Sequence, residues 1–500
     1  MTATQATAKT PEWVKDAIFY QIFPDRFARS GRLPPWIRLE PWDTPPTREG
    51  FKGGDLWGVL ARLDYLQDLG ITALYFNPIF QSAANHRYHT HDYHQVDPLL
   101  GGNEAFRALL DAAHRRGIRI VLDGVFNHAS RGFFPFHHIL ENGPASPYLD
   151  WFHIRGYPLH AYSPRHKPNY AAWWGLPALP KFNTDCPGVR EFLWGVAEHW
   201  VREGIDGWRL DVPFEIDDDA FWQEFRRRVK EVNPEAYIVG EVWGDARRWL
   251  QGDQFDAVMN YLFSRAGLGF FGGPDLAVGL PYGIYRLRRL TAQGFARQIR
   301  RLLALYPWEV TLAQLNLLGS HDTPRLLTLV QGNQARVKLA TLFQMCYPGA
   351  PCIYYGDEVG LAGGPDPDCR RSMPWDEAQW DRDLRAWFQA AIALRKAHVA
   401  LRRGDYLPLL ARDHVYAFAR RAPEETLIGL FNPGENPARV DLWLRPLAAD
   451  GAVLEDLWQP TAFGKERVPV QGGCAREVLL PSLSARVFRV REAGGGDGSS

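Results

Sequence analysis

Short apolar runs alternate with longer amphipathic segments over most of the first 400 residues. Residues 55–69 are typical, because Gly70 closes a segment whose apolar positions recur every three or four residues: Leu56, Val59, Leu60, Leu63, Leu66 and Leu69. Apolar recurrence at that spacing followed by glycine predicts a helix with a C-cap. Short apolar runs separated by such helices predict the buried strands of a parallel sheet.

The alternation comprises eight strand-then-helix units. Strands are predicted over residues 17–23, 71–77, 118–123, 205–211, 237–241, 255–260, 315–318 and 351–355. Helices are predicted over residues 55–69, 103–116, 188–203, 218–232, 244–251, 290–305, 334–346 and 383–396. This count predicts an α/β protein with a (β/α)8 TIM barrel. A doubly wound open sheet is the alternative, but polar motifs follow many different strands, which favours the barrel.

The alternation is interrupted once and ends near residue 400. Residues 128–187 are rich in Pro, His, Tyr and Trp and are too long for an ordinary loop, so they predict a small domain inserted after the third strand. Short alternating runs after residue 401 predict an antiparallel β-sandwich. The predicted plan is a barrel over 1–127 and 188–400, the insertion over 128–187, the sandwich over 401–492 and a disordered, Gly- and Ser-rich tail over 493–500.

Charge and composition exclude several classes of partner. Lysine and arginine number 57, aspartate and glutamate also number 57, and the formal net charge is zero, so we expect no nucleic acid and no anionic membrane as a partner. The first ten residues lack an apolar signal core, and no apolar stretch is long enough to span a bilayer, so we expect a cytoplasmic protein. The 5 scattered cysteines contain no C-x-x-C pair, which disfavours a disulfide framework and a zinc site.

Three carboxylates lie at the ends of predicted strands: Asp211, Glu241 and Asp322. Arg209 and Asp211 are two residues apart, so both side chains lie on one face of a strand. Such a pair is either a structural ion pair or an activated carboxylate. Each acid taken singly fits a surface group, but three acids at the carboxyl ends of barrel strands predict a site. Glycoside cleavage requires a pair of carboxyl groups, one as nucleophile and one as acid.

Five short segments resemble, in order, the motifs of the α-amylase family of retaining glycoside hydrolases. They are residues 123–128 (DGVFNH), 179–183 (LPKFN), 207–211 (GWRLD), 241–244 (EVWG) and 318–322 (LGSHD). Residues 21–27, 85–88 and 366–370 match further patterns of that family. The segment at 179–183 is similar to the signature motif of the subgroup that contains neopullulanase, cyclomaltodextrinase and maltogenic amylase.

The resemblance implies catalytic roles for the three acids. Asp211 is expected to be the nucleophile and Glu241 the general acid/base, while Asp322 is expected to hold and distort the sugar. The residues themselves agree with this division. Arg209 beside Asp211 favours an ionised carboxylate, whereas two apolar residues after Glu241 favour a protonated acid by desolvation.

The resemblance also implies a set of sugar-binding residues. Tyr88 is expected to stack on the reacting sugar, and His128 and His321 are expected to donate hydrogen bonds to its hydroxyls. A lone histidine is more often a core residue whose hydrogen bonds are made within the protein. That alternative applies to both His128 and His321. The other expected substrate contacts are Arg209, Glu215 and, for the next sugar, Asp366 and Arg370. Asp123 and Asn127 are expected to support the site from behind.

The sequence departs from the subgroup in three respects. Subgroup members usually carry an extra N-terminal β-domain that helps to form their dimer, whereas this barrel begins by about residue 17, so we leave the oligomeric state open. Residues 212–215 read Val-Pro-Phe-Glu in place of the usual Val-Ala-Asn-Glu, and Phe214 either faces the acceptor sugar or packs inward. The loop after Arg26 lacks the Asn and Asp cluster that binds calcium in many relatives. We therefore predict no tightly bound metal and no required cofactor.

The predicted function is hydrolysis of α-1,4-glucosidic bonds in maltooligosaccharides, through a covalent glycosyl-enzyme. Cyclodextrins and pullulan are further candidate substrates. A glucanotransferase or an α-glucosidase on the same scaffold is the first alternative, because transfer and hydrolysis share that intermediate. A non-catalytic sugar-binding protein is the alternative from another class, but it predicts loss of at least one of the three acids, and all three are present.

Overall fold

The computed structural model describes residues 9–458 and 467–492, which fall into two compact units. The first unit comprises Met1–Met259 and Arg370–Glu377, and the second comprises Asn260–Cys369 and Ala378–Ser500. The tail predicted to be disordered, residues 493–500, lies outside the described residues.

Eight parallel strands form a single sheet of the (β/α)8 barrel type, so the predicted fold class is confirmed. The first unit contributes β1 (Phe19–Ile22), β2 (Ala73–Phe76), β3 (Arg119–Gly124), β4 (Gly207–Leu210), β5 (Tyr237–Gly240) and β6 (Ala257–Val258). The second unit contributes β7 (Leu315–Leu317) and β8 (Ala350–Tyr354). Within the first unit these strands are neighbours in chain order, and every residue of β2, β4 and β5 is buried. Burial on both faces explains why the strands read as continuous apolar runs.

Most of the predicted helices are present with bounds shifted by two residues or less. The longer ones are Gly102–Arg115, Pro187–Arg202, Asp219–Val232, Ala292–Leu303, Gln334–Cys346 and Arg382–Ala397. Shorter helices cover Glu12–Asp16, Pro24–Phe27, Phe134–Asn142, Trp308–Ala313, Leu326–Leu329 and Val399–Arg403. Across the described parts of the chain, every helix is too short or too polar to cross a bilayer.

Two helix predictions differ from the structure, and one further long helix was not predicted. Segment 55–69 forms two helices, Leu56–Leu60 and Leu63–Leu69, and the second ends at the predicted C-cap Gly70 with a φ of 96°. The helix predicted over 244–251 is wrong, since turns occupy that segment. Helix Tyr261–Phe271 was missed, because its glycines lower helical propensity.

The missed helix shows how packing overrides propensity. A Cβ atom at Gly269 would lie 2.6 Å from the carbonyl oxygen of Arg288, so only glycine allows that close approach. The helix is buried nearly all round, and the ring of Phe270 stacks on that of Phe295 with centroids 4.5 Å apart. Burial of this apolar surface outweighs the propensity cost of the glycines.

Residues 128–187 are held together mainly by aromatic rings and isolated bridges. The ring of Phe136 contacts those of Phe152 and Tyr170, with centroids 5.0 and 4.9 Å apart. Isolated antiparallel bridges join His128 to Lys181 and Phe152 to Phe182. Regular structure is limited to helix Phe134–Asn142 and short 3-10 turns within this segment. Its treatment as a separate domain stays a prediction.

The C-terminal strands form two antiparallel sheets, so the predicted sandwich is confirmed. The strands are β9 (Asp405–Arg412), β10 (Val415–Ala422), β11 (Glu425–Asn432), β12 (Ala438–Trp443), β13 (Val453–Asp456), β14 (Arg467–Pro469), β15 (Cys474–Leu480) and β16 (Ser484–Arg491). Six of them make one sheet in the order β9-β10-β11-β16-β13-β14, and β12 pairs with β15. Side chains of both sheets share one apolar core, which includes Ile428, Leu430, Val440 and Leu442.

Candidate active site

Neighbouring strand ends of the first unit bring together the acids of three sequence motifs. Arg209 in β4 lies opposite Asp123 in β3, and the N–H of Asp211 donates to the carbonyl of Gly124 at 3.0 Å. The N–H of Glu241 donates to the carbonyl of Leu210 at 2.9 Å. The ladder of main-chain hydrogen bonds therefore continues one residue past β4 and β5. It sets the main-chain positions of Asp211 and Glu241.

Arg209 is the cation that these acids share. Its Nη1 donates to both carboxylate oxygens of Asp123, at 2.8 and 2.9 Å, and to Oδ1 of Asp211 at 3.0 Å. Its Nη2 lies 2.9 Å from Oε2 of Glu241. Burial opposes the charge on Arg209, but the carboxylates outweigh it and hold its pKa well above the usual range. The guanidinium therefore stays charged and keeps Asp211 and Glu241 close to each other.

Glu241 is buried, yet its oxygens meet hydrogen-bond donors rather than apolar atoms alone. Oε1 accepts from Nε1 of Trp243 at 3.0 Å, and Oε2 accepts from the main-chain N–H of Val212 at 3.1 Å. The sequence-based hypothesis treated Trp243 only as a source of desolvation. The structure adds its indole N–H as a donor, so burial favours the protonated acid whereas Trp243, Val212 and Arg209 favour the carboxylate.

Asp123 anchors two tyrosines from behind the site. Its Oδ2 accepts from the hydroxyl of Tyr88 at 2.9 Å and from that of Tyr75 at 3.1 Å. The Tyr88 hydroxyl in turn accepts from Nδ2 of Asn77 at 3.0 Å. Burial and the nearby carboxylate of Asp123 raise the pKa of Tyr88 well above its usual value, so the phenol stays neutral. This network fixes the orientation of the ring that the sequence predicts to stack on a sugar.

His128 is fully buried, and the protein itself engages both of its ring nitrogens. Nε2 lies 3.2 Å from the carbonyl oxygen of Tyr88, to which it donates, and Nδ1 lies 3.1 Å from Nδ2 of Asn127. The ring stacks on Trp173, with centroids 5.1 Å apart. Burial lowers the pKa of His128 to about 3, so the ring is neutral near pH 7. Its predicted hydrogen bond to a sugar hydroxyl stays a prediction.

Glu215 pairs with Lys181 from the motif at 179–183. Nζ of Lys181 lies 2.7 Å from Oε2 of Glu215, and both side chains are partly exposed. Lys181 was not among the predicted site residues, although its place in the motif at 179–183 was a signal that could have identified it. Phe214 lies between Asp211 and Glu215 in the sequence and is 39% exposed.

The remaining predicted residues lie on other segments. In the second unit, Nε2 of His321 lies 3.2 Å from Oδ2 of Asp322, and the His321 carbonyl accepts from Sγ of Cys369 at 3.1 Å. Asp366 lies in the same unit. Arg370 belongs to the first unit, where its guanidinium carbon lies 5.4 Å from the centroid of the Phe23 ring. The sugar-binding roles given to these residues stay predictions.

Known proteins resemble this chain over most of its length. Residues 21–411 match the family model for the alpha amylase catalytic domain. The cyclomaltodextrinase of Geobacillus thermopakistaniensis (strain MAS1) is 46% identical over 92% of this chain and 75% of its own. The crystal structure of Ttha1563 from Thermus thermophilus has a TM-score of 0.91 and 52% identity, and covers 96% of this chain and 100% of that one. The debranching enzyme from Nostoc punctiforme has a TM-score of 0.87 and 51% identity, and covers 97% and 100% of the two chains.

An α/β barrel whose strand ends place two carboxylates on one buried arginine has the paired acids that glycoside cleavage requires, and the family match identifies the class as glycoside hydrolase. The chain belongs to the α-amylase family, as the five motifs predict. Its relatives include proteins named cyclomaltodextrinase and neopullulanase, the subgroup that the segment at 179–183 indicated.

Proposed function

We propose that this enzyme hydrolyses α-1,4-glucosidic bonds of maltooligosaccharides, and also of cyclodextrins and pullulan, with retention of configuration. The observation that carries this proposal is the joint pairing of Asp211 and Glu241 with the guanidinium group of Arg209. Retention requires two carboxyl groups about 5–5.5 Å apart, and a single arginine that binds both keeps them near each other. The names of relatives that align over most of both chains support the substrate class.

In the first step, the ionised carboxylate of Asp211 attacks the anomeric carbon. The bond from that carbon to the leaving sugar's oxygen breaks, and the proton of Glu241 passes to the oxygen. Arg209 favours this step because it keeps Asp211 ionised and ready to attack. Tyr88 supports the sugar ring by stacking, and the hydrogen bond from its hydroxyl to Asp123 restricts the motion of its ring.

In the second step, Glu241 takes a proton from water, and the water oxygen displaces Asp211 from the anomeric carbon. Two inversions give net retention. The charge on Asp211 favours a proton on Glu241 before the first step. Once Asp211 is esterified that charge is gone, so the donors around Glu241 stabilise its carboxylate and prepare it as a base.

A second candidate function is cleavage at α-1,6 branch points. The observation in its favour is the likeness to the Nostoc punctiforme debranching enzyme, which aligns with this chain over nearly its whole length at 51% identity. Both reactions use the same pair of carboxyl groups and differ in how the substrate lies across them. Glucanosyl transfer is the remaining alternative, and it depends on whether water or a sugar displaces Asp211.

Product analysis separates these functions. The purified enzyme is incubated with maltotriose, β-cyclodextrin and pullulan, and the products are resolved by chromatography. Cleavage of α-1,4 bonds in pullulan yields panose or isopanose, depending on which of the two α-1,4 bonds in each repeat is cut, whereas cleavage of α-1,6 bonds yields maltotriose. A proton NMR spectrum taken early in maltotriose hydrolysis should show the α-anomer first. Initial release of the β-anomer would exclude Asp211 as a nucleophile.

A further inference from the structure

The residue after Asp211 has a backbone conformation that its side chain disfavours. Val212 has φ 36° and ψ 50°, in the left-handed region, which is unfavourable for a β-branched residue. It also precedes Pro213, and a proline biases the residue before it towards an extended conformation. From the sequence alone we would expect Val212 to be extended. The fold therefore imposes a conformation that the local sequence opposes.

Several contacts hold this turn in place. The Pro213 ring packs against Gly240, where a Cβ atom would lie 3.4 Å from Cγ of the proline. Glu215 is tied to Lys181 at 2.7 Å, and the carbonyl of Ile216 accepts from Nε1 of Trp222 at 3.1 Å. A strained residue persists only when its surroundings over-determine it, and strain of this kind concentrates at functional sites.

The left-handed turn directs one main-chain donor at the acid/base. The N–H of Val212 donates to Oε2 of Glu241 at 3.1 Å. Because φ is the rotation about the N–Cα bond, the direction of this N–H is coupled to the path of the chain through Pro213. An extended Val212 with the same N–H direction would send the following residues elsewhere, away from Gly240 and Lys181.

We propose that the strained turn at Val212 and Pro213 is a positioning element, which holds the N–H of Val212 on Oε2 of Glu241 and so sets the orientation and proton affinity of that carboxyl group. Val212 is a positioning residue, since it acts on substrate only through Glu241. The inference rests on the function proposed above, in which Glu241 is the general acid/base.

The other groups around Glu241 explain why a neutral donor matters. In the first unit Glu241 faces the cation of Arg209, and that cation also binds the carboxylates of Asp123 and Asp211. Nε1 of Trp243 donates to its other oxygen. The charge on Asp211 is lost when the glycosyl-enzyme forms, but the N–H of Val212 does not titrate. It therefore favours the carboxylate by a constant amount in both halves of the cycle.

The direct test replaces the main-chain amide of residue 212 by an ester, through incorporation of the α-hydroxy analogue of valine. The side chain is retained, but the hydrogen-bond donor is lost. The titration of Glu241 is then followed by infrared difference spectroscopy, with Glu241→Gln identifying its band. We expect the titration midpoint to rise by about 0.5–1 pH unit, with the alkaline limb of kcat/KM following it. An unchanged midpoint overturns the proposal.

A matched control deletes a hydrogen bond of the same turn that does not involve Glu241. The N–H of Ile216 donates to the carbonyl of Pro213 at 3.2 Å, so an ester at residue 216 weakens the turn by a similar amount. Its titration midpoint should equal that of the wild type. An equal rise in both ester variants would show a general loss of structure and would overturn a specific role for the Val212 amide.

A second pair of variants tests the strain. Val212→Gly and Val212→Ala both remove the isopropyl group and keep the N–H. At a position with a left-handed backbone, glycine makes the folded protein more stable than alanine does. At a position with an ordinary backbone conformation, glycine makes it less stable than alanine does. The glycine variant should therefore melt at a higher temperature than the alanine variant, and the reverse order overturns the strained turn.

The Glu241 titration and the two melting temperatures require no substrate, whereas the limb of kcat/KM does. Failure of α-glucan hydrolysis would overturn the proposed function, but the Glu241 titration and the two melting temperatures would still report on the turn.

Discussion

Arg209 and Glu241 form an ion pair across neighbouring strand ends, with Nη2 2.9 Å from Oε2. The same guanidinium group also binds Asp123 and Asp211. Charges that are fully withdrawn from water are tolerable only when they are paired and hydrogen-bonded. A single buried cation thus pairs with both Asp211 and Glu241 and holds the two carboxyl groups near each other.

We expect Arg209→Lys to fold but to lose activity. A lysine ammonium is a compact point charge and cannot bind three carboxylates in the planar arrangement of a guanidinium. Misplacement of catalytic groups by about 1 Å costs on the order of 10²-fold in rate, so kcat on maltotriose should fall by at least that factor. Arg247→Lys, at an exposed arginine that pairs with Asp245, is the control. A wild-type kcat in Arg209→Lys would contradict the shared-cation arrangement.

We expect Asp211→Asn and Glu241→Gln each to abolish turnover while the chain still folds. Loss of the nucleophile or of the acid/base should lower kcat by several orders of magnitude, since each is required in both half-reactions. Rates on maltotriose and circular dichroism melts measure the two effects. Glu231→Gln changes an exposed acid on helix Asp219–Val232 and should leave both quantities unchanged. Near-normal rates in either catalytic variant would remove that residue from the mechanism.

We expect Phe214→Asn to lower the ratio of transfer to hydrolysis products at high maltotriose concentration. Phe214 is 39% exposed, so it can present its ring to an incoming sugar or exclude attacking water. If the ring instead contributed mainly to packing, its loss would cost roughly 3 kcal/mol or more and leave the product ratio constant. Chromatography of the products and a thermal melt of the same variant distinguish the two roles. A depressed melting temperature with an unchanged ratio would assign Phe214 to packing.

We expect His128 to make the protein less stable in mild acid. Burial lowers the pKa of His128 to about 3, whereas the unfolded chain has a histidine pKa of about 6.5. Below about pH 6.5 the unfolded state binds a proton that the folded state excludes. The stabilising contribution is therefore complete above that pH and is lost as the pH falls towards 3, at up to about 1.4 kcal/mol per pH unit.

The measurement compares melting temperatures at pH 7 and pH 5. His128→Phe can keep the stack on Trp173 but cannot titrate, so its melting temperature should depend less on pH than that of the wild type. His137→Phe, at an exposed position on helix Phe134–Asn142, is the control and should keep the wild-type dependence. Equal pH dependence in all three proteins would show that His128 is not a source of the acid sensitivity.

The sequence was sufficient to predict the strands, the barrel and the residues at the strand ends. Apolar runs such as 71–77 identify β2 because a strand buried on both faces has no need to alternate in polarity. The acids Asp211 and Glu241 follow their strands directly, so their place at the carboxyl ends follows from the order of residues alone. Helix Tyr261–Phe271 escaped prediction, because its glycines serve a packing contact that no local pattern contains.

Only the tertiary structure decided how the predicted residues are connected. The sequence placed Arg209 beside Asp211, but its pairing with Glu241 depends on β5 lying next to β4. The sequence predicted desolvation of Glu241 by Trp243, whereas the structure makes that indole a donor. Local preference also opposed the left-handed Val212, which long-range contacts impose. Side-chain periodicity follows from local sterics and can therefore be read from the sequence. Ion pairing and backbone strain depend on contacts between residues distant in the chain, so the fold alone determines that pairing and that strain.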